Sequence, residues 1–459
     1  MIKTKAKAAI QVVSAENLPE DTILLGESYV KYWKIPRGQH VQLKFGAFRR
    51  NVKVIPVARL NAMRISQALA ESMGLPSRLQ LRIHYKTAAA VLALGPLIGV
   101  LVSRDYPRTP EKPFGSITMF CREVVEACKA QGAFVYFFTP KHIGGNTDIV
   151  RSWIYTDDGW KESEMPAPDI VNNRLTTRKL ENSEAVQRFL KETKFHHATI
   201  AFNEKFLDKS EVFEALKKDA KLTRYLPESY LLRSYSTLRA MCGKHNTVFL
   251  KPIRGSLGKG IVRISRLDGE SYQAQYATSA GTKKVTYSNM TKLYASVSSK
   301  MKSVRYQIQQ GLQLIEIGGR PVDFRALVQK NASGKWMITS IVARTAGSQH
   351  FVSNLARGGT LSTVSAAVTK SNLSSGISRL ETSNKLRSAA LQIAKGIDEH
   401  IPAHFGELGI DLALDKSGRV WLLEVNSKPS KNDNTPLNEG KIRPSVRLMI
   451  QYARFLSGF

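Results

Sequence analysis

Cysteine is scarce in this 459-residue chain, which has only Cys121, Cys128 and Cys242. Three thiols cannot make a full disulfide set, and none has metal-ligand spacing, which points to a reducing compartment and a cytoplasmic setting. Cys121 and Cys128 fall in a stretch with helical spacing and read as buried core thiols. A long apolar run is also missing. The longest, TAAAVLALGPLIGVLV at residues 87–102, is shorter than the ~20 residues needed to span a bilayer and is broken by Gly95 and Pro96. It reads as a strand, a turn and a second buried strand, so no membrane span is expected. The N-terminus, MIKTKAKAAI, is basic but has neither the apolar run nor the cleavage site of a secretory signal. The nine histidines form no HExxH or other clustered ligand pattern. No Ser-His-Asp or Cys-His set is present for nucleophilic catalysis.

Acidic residues are few: 37 Asp and Glu against 68 Lys and Arg leave a formal charge of +31. Such a surplus favours polyanions, acidic substrates or anionic surfaces. The charges are dispersed and no recognisable nucleic-acid module accompanies them, so they are weak grounds for nucleic acid as a partner. An acidic small molecule or peptide accounts for them equally well. With 42% hydrophobic residues the chain is globular, and its length implies two to four domains.

The expected class is α/β, or α+β, in three parts. Residues 1–92 form a β-rich unit with a weak internal echo. YVKYWKIPRGQHVQLKFG, starting at Tyr29, and QALAESMGLPSRLQLRIHYK, starting at Gln67, each offer a short helix, an (I/L)-P turn and an alternating strand. Residues 93–198 read as a small α/β domain: LIGVLVSR is a strand, 116–131 has helical spacing, and AFVYFFTP is a second strand. A polar segment, 155–168, leads into DIVNNRL. Residues 199–459 carry most of the chemistry.

The most informative stretch is GIDLALDKSGRVWLLEVN, residues 409–426. Alternating apolar segments around DKSG predict a β-hairpin. Counting a four-residue loop puts Asp411 and Glu424 on one face as diagonal neighbours, and Asn426 shares that face. Carboxylates converging on an apolar surface repel and are costly to desolvate. A hard cation such as Mg²⁺ removes that objection, since it takes a few carboxylate oxygens plus phosphate oxygens. A solvent-facing hairpin with ordinary surface acids explains the same pattern equally well.

Upstream, TVFLKPIRGSLGKGIVRIS places Lys251 at the end of an apolar strand and follows it with a glycine loop. Gly255, Ser256, Gly258, Lys259 and Gly260 can turn backbone N–H groups inward around phosphate oxygens. No GKS or GKT opens a helix there, and a strand follows, so the loop is neither a Walker A nor a Rossmann turn. An ordinary hairpin turn is the competing reading, weakened by Lys251 next to it. Lys209, following Asp208, opens an amphipathic helix. In DFRALV, Asp323 and Arg325 share a strand face, with a structural salt bridge as the alternative role for Asp323. Arg344 in IVARTAG and Asn354 in SNLARGG add a cation and a donor loop. Cations and N–H donors aimed towards carboxylates are what handling ATP with Mg²⁺ requires.

The ordered set DK, LKPIRGSLGKG, DFRALV, AR, SNLARGG, GIDLAL and LLEVN resembles the ATP-grasp fold. In detail it resembles the YheC/YheD family of spore-coat-associated ATP-grasp proteins of endospore-forming bacteria, over nearly the whole chain. The resemblance implies a small pre-ATP-grasp domain followed by an ATP-grasp unit of two α+β lobes meeting near residue 312. It implies Lys209 and Lys251 on ATP phosphates, the glycine loop closing over them, and Mg²⁺ (or Mn²⁺) on Asp411, Glu424 and Asn426. Adenine would meet the hinge around Gln309, Gln310 and Leu312, and the ribose partner is Glu316 or Gln313. The implied chemistry is activation of a carboxylate as an acyl phosphate for attack by an amine, with Arg325 and Arg344 on the transferred phosphoryl group. Spore-coat components are the implied partners. A catalytically silent ATP-binding coat protein would keep the same fold.

Overall fold

Strands of residues 6–95 close into a seven-stranded barrel in the computed structural model, which describes residues 6–14, 16, 18–253, 260–278, 281–347, 359–430 and 441–459. The strands are β1 (Ala6–Val13), β2 (Thr22–Gly26), β3 (His40–Phe45), β4 (Phe48–Val57), β5 (Ala62–Ser66), β6 (Arg78–Lys86) and β7 (Val91–Gly95). Parallel pairs β1/β5, β2/β4 and β3/β7 are joined through antiparallel ones. The echo noted above is a repeated local structure. β2 and β5 have the same burial alternation, each runs straight into a short helix (Glu27–Trp33 and Gln67–Ser72), and they meet antiparallel at Leu25 and Met63. Ile23, Leu25, Leu43, Phe45, Ile65, Leu81 and Ile83 fill the interior.

Gly95 and Pro96 divide the long apolar run between two sheets. β7 closes the barrel, whereas β8 (Leu97–Leu101) is central in a second sheet with β9 (Phe134–Phe138), β10 (Ile149–Thr156), β11 (Gly159–Pro166), β12 (Ile170–Asn173) and β13 (Ile200–Phe202). The order is β11-β10-β9-β8-β12-β13, with β9, β8, β12 and β13 parallel. The stretch 155–168 is largely strand: β10 and β11 form a hairpin turning at Asp157 and Asp158. Its polarity comes from the middle of β11, the outer strand of the sheet, where Lys161, Glu162 and Glu164 are exposed on both faces. The last helix, Pro444–Ser457, packs on the helix Thr118–Gln131 in this second core, so the end of the chain returns to the middle of the molecule.

Two further sheets face one another. The first has the order β14-β19-β15-β16-β17-β18, from β14 (Ser229–Leu232), β15 (Thr247–Pro252), β16 (Val262–Arg266), β17 (Tyr272–Thr278), β18 (Gly281–Tyr287) and β19 (Tyr306–Gln310). Helices Tyr235–Lys244 and Met290–Met301 cover one side of it, around Leu250, Ile264 and Ile308. The second has the order β23-β22-β21-β24-β25, with β20 (Glu316–Ile317) beside β21 (Arg320–Lys330), then β22 (Trp336–Thr345), β23 (Thr360–Ser362), β24 (Glu407–Leu414) and β25 (Val420–Asn426). Helices Lys209–Leu216 and Arg379–His400 bury its back through Leu216, Phe324, Ile393 and Leu412. Because side chains alternate along a strand, packing Phe324, Ile410 and Leu412 backwards turns Asp323, Arg325 and Asp411 forwards. The connection between the sheets passes through Gly311, where a Cβ would stand 2.6 Å from the Thr247 carbonyl oxygen; only glycine permits that approach. No helix among the described residues is long and apolar enough to cross a membrane.

Candidate functional site

Asp411 stands directly opposite Glu424, and Gly409 opposite Asn426. A four-residue loop would leave the two acids diagonal; instead Leu414 pairs with Val420, one residue further on, and a bulge at Leu423 adds a second step, which together bring Asp411 and Glu424 face to face. Asp411 is buried and held by two guanidiniums. Arg325 donates through Nε and through Nη2 (2.9 Å), and Arg344 Nη2 lies 3.1 Å from Oδ1. Burial alone would raise the Asp411 pKa, but the charges of Arg325 and Arg344 and their hydrogen bonds hold it below the usual carboxylate range. Arg344 in turn donates to Asp323 through Nε (2.6 Å) and Nη2 (3.0 Å). Asp323 is thus part of a buried ion pair, the structural alternative entertained for it. Burial disfavours both guanidinium charges, yet Asp411 and Asp323 raise both pKa values above the ordinary one.

Lys209 reaches the same place from the first turn of its helix, which Asp208 caps by accepting from the Ser210 N–H at 2.9 Å. Its Nζ is 3.1 Å from Glu424 Oε1. Lys251, on β15, donates to Gln309 Oε1 on the neighbouring β19. Burial pulls the Lys251 pKa down to about 8, the nearby Lys209 adds to the fall, and Glu424 and Asp411 oppose it. Four cations and three carboxylates therefore gather here, from the two facing sheets and the start of the helix Lys209–Leu216.

Gln309 was grouped with the hinge in the sequence; its side chain has the more specific place. Gln307 and Gln309 alternate with the core residue Ile308 and share the open face of β19, a periodicity legible in YQIQQ. Both are buried, and Gln307 Nε2 donates to Ser229 Oγ at 3.1 Å. Gln309 Nε2 and Gln307 Oε1 have no hydrogen-bond partner among the described residues. A buried donor and acceptor left unmet beside a lysine are costly, and a ligand with base and phosphate groups meets that need. The Gln310 side chain points elsewhere: its Oε1 accepts from the Glu228 N–H at 3.1 Å, and it lines a separate cavity of about 450 Å³ with His245, Arg419 and Trp421. Leu312 lies in the connection that follows Gly311. Gly260 has φ +72°, a left-handed conformation suited to glycine. Gly255, Ser256, Gly258, Lys259 and Asn354 lie outside the described residues. Of the two ribose candidates, Gln313 gives its carbonyl to the Lys416 N–H at 3.3 Å, and the backbone N–H of Glu316 donates to Asn372 Oδ1 at 2.8 Å.

Asp411, Glu424 and Asn426 suit a hard cation in chemistry. A carboxylate has about four lone-pair sites, and the guanidinium contacts take three of those on Asp411. Glu424 gives one oxygen to Lys209. No group of three or more His, Cys, Asp or Glu side chains placed to hold a metal occurs among the described residues; Asn426, opposite Gly409, is the amide expected beside the two acids. Such a partial oxygen set fits an ion that keeps water and phosphate ligands.

Two facing sheets, one presenting Lys251 and the other presenting Arg325 and Arg344 beside the paired acids Asp411 and Glu424, define an ATP-grasp protein. The chain belongs to the YheC/D-like ATP-grasp family, whose model matches residues 198–456. It is 30% identical over 397 residues to the endospore coat-associated protein YheD of Bacillus subtilis (strain 168), covering 86% of this chain and 85% of that protein. To the endospore coat-associated protein YheC of the same organism it is 25% identical over 299 residues, covering 64% and 80%. Among solved structures it is similar to the D-alanine–D-alanine ligase from Coxiella burnetii, with 13% identity, a TM-score of 0.44, and 79% and 95% of the two chains covered.

Proposed function

We propose that the protein is an ATP- and Mg²⁺-dependent ligase that activates a carboxylate as an acyl phosphate and passes the acyl group to an amine. The observation that carries this reading is Asp411 directly opposite Glu424, within a ring made by Arg325, Arg344, Lys209 and Lys251.

Lys209 and Lys251 neutralise the β- and γ-phosphates, and Arg325 and Arg344 hold the group in transfer. The loop of Gly255, Ser256, Gly258, Lys259 and Gly260 covers the phosphates, and Asn354 adds a donor. Gln309, with the backbone at Gln310 and Leu312, meets the base. Asp411, Glu424 and Asn426 would hold Mg²⁺, and the metal would supply positive charge against the phosphate oxygens. The acids are already balanced by the charges of Arg325, Arg344, Lys209 and Lys251, so these side chains by themselves leave little net negative charge to attract a further cation. An oxygen of the substrate carboxylate attacks the γ-phosphorus, the bond to the β–γ bridging oxygen breaks, and ADP leaves. The amine then attacks the acyl carbon, phosphate departs, and the surplus amine proton goes to solvent. No protein nucleophile is required, because the substrate supplies it; positioning and charge stabilisation do the work.

The +31 charge supports an acidic small molecule or peptide as substrate. Kinship with proteins named for the endospore coat supports a role in sporulation or in the coat, with coat components as partners. The test is ADP release with Mg²⁺ against a panel of amino acids, short acidic peptides and amines. Release that depends on one acid supports the ligase. Tight ATP binding with no ADP from any acid would favour a silent nucleotide-binding coat protein.

A further inference from the structure

The β24–β25 hairpin is gripped at both ends by the second domain. We infer that Arg174 is a positioning residue for the metal-ligand set, fixing Asn426 by tying the exit of β25 to the entry of β24; this rests on the ligase reading above.

β25 is the outer strand of its sheet, and its last paired residue is Asn426, opposite Gly409. An edge strand that ends on a ligand has no ladder beyond it to keep the ligand in place. The following residues supply that constraint from outside the sheet. Ser427 Oγ donates to the Lys205 carbonyl at 2.7 Å, Lys428 makes a buried ion pair with Glu181, and the Pro429 carbonyl accepts from Arg174 Nη2 at 3.0 Å. Glu181 is itself fixed by the Phe206 N–H at 2.8 Å.

Arg174, directly after β12, does more than hold Pro429. Its Nη1 is paired with Glu407, the first residue of β24, whose other oxygen accepts from Gln329 Nε2 at 3.1 Å. Glu407 and Asp411 share one face of β24, four residues apart in an alternating strand. One planar guanidinium therefore spans the two chain ends whose separation sets the distance from Asp411 to Asn426. Pro429 also presses on the bare backbone of Gly409, where a Cβ would stand 2.9 Å from Pro429 Cβ and 3.4 Å from Arg325 Nη1. Loosening Pro429 thus frees the residue opposite Asn426 as well. A lysine at 174 could pair with Glu407 but has no second, rigidly placed nitrogen for the carbonyl.

The experiment is calorimetry of ATP binding by the full chain across a Mg²⁺ titration, with Mn²⁺ electron paramagnetic resonance as a direct metal readout. Arg174→Met and Arg174→Lys are compared with Glu123→Gln, which removes the charge from the buried Arg443–Glu123 ion pair (2.7 Å) elsewhere on the second domain. Arg174→Met is expected to shift the Mg²⁺ half-saturation upward at least tenfold with metal-free ATP affinity unchanged. Arg174→Lys should fall between Met and wild type, and Glu123→Gln should leave the Mg²⁺ curve in place. An unshifted curve in folded Arg174→Met or Arg174→Lys protein, or an equal shift in Glu123→Gln, would overturn the positioning role and leave the ligase reading standing. Wild-type protein that binds no nucleotide with or without Mg²⁺ would overturn both.

Discussion

Lys209 Nζ and Glu424 Oε1 lie 3.1 Å apart although 215 residues separate them in the chain. The contact joins the first turn of a helix to the last strand of the sheet that helix covers, and puts the cation proposed for phosphate against an acid proposed for the metal. Exchange of this partner for a cation is the expected event on nucleotide binding. Glu424→Gln removes the ligand charge with little change in size, so it should lower Mg²⁺-dependent turnover by roughly 100-fold while circular dichroism and melting stay close to wild type. Full Mg²⁺-dependent activity in that variant would refute the assignment.

Lys251→Ala should weaken ATP by about 1.5–3 kcal/mol, the range for a hydrogen bond to a charged group, while adenosine changes little. Calorimetry with both ligands separates the cases. Equal losses would mark Lys251 as structural.

The same lysine gives a pH dependence. Its pKa in the free protein is about 8, below its ordinary 10.5, because burial disfavours the charge. Bound phosphate favours the charge and raises that pKa. Below pH 8 both states are protonated and affinity is flat. Above pH 8 binding must take up a proton, so affinity falls by up to about tenfold per pH unit until the bound-state pKa is reached. Stability of the free protein moves the other way: the unfolded chain holds the extra proton between 8 and 10.5, so unfolding free energy rises with pH across that window. Proton uptake measured in buffers of different ionisation enthalpy checks the sign, and uptake that peaks below pH 7 would contradict it.

Arg325→Ala leaves Asp411 buried with Arg344 as its remaining guanidinium. Removing one partner of a buried ion pair costs about 3–5 kcal/mol, so the variant should melt well below wild type. Arg325→Lys should recover much of the stability and little of the turnover, since an ammonium cannot reproduce the two parallel bonds to Asp411. Recovery of both together would mean that Arg325 serves only the fold.

Much of the site was legible because it depends on local pattern. The DKSG turn and the apolar segments around it mark the hairpin that carries Asp411, Glu424 and Asn426, and the apolar strand before Lys251 marks that lysine as out of the ordinary. The bulge at Leu423 was not legible, since nothing in LLEVN distinguishes a bulged strand from a regular one. The pairing of Arg325 and Arg344 with Asp411 was missed for another reason: it joins residues on separate strands, and sequence gives their face but not their neighbours. Arg174 and the return of the helix Pro444–Ser457 to the second core are long-range contacts of the same kind. The echo in the first ninety residues showed the repeated unit, whereas closure of the barrel depends on parallel pairs between strands far apart in sequence.

The central claim is an acyl phosphate, and hydroxylamine trapping tests it most directly. With ATP, Mg²⁺ and the correct acid, hydroxylamine in place of the natural amine should give ADP and the acid's hydroxamate in equal amounts, beginning the search with acidic amino acids and short acidic peptides. Arg325→Lys protein that still binds ATP should give no more than a trace of hydroxamate. ADP formed in step with the acid but with no hydroxamate at any hydroxylamine concentration would contradict the account.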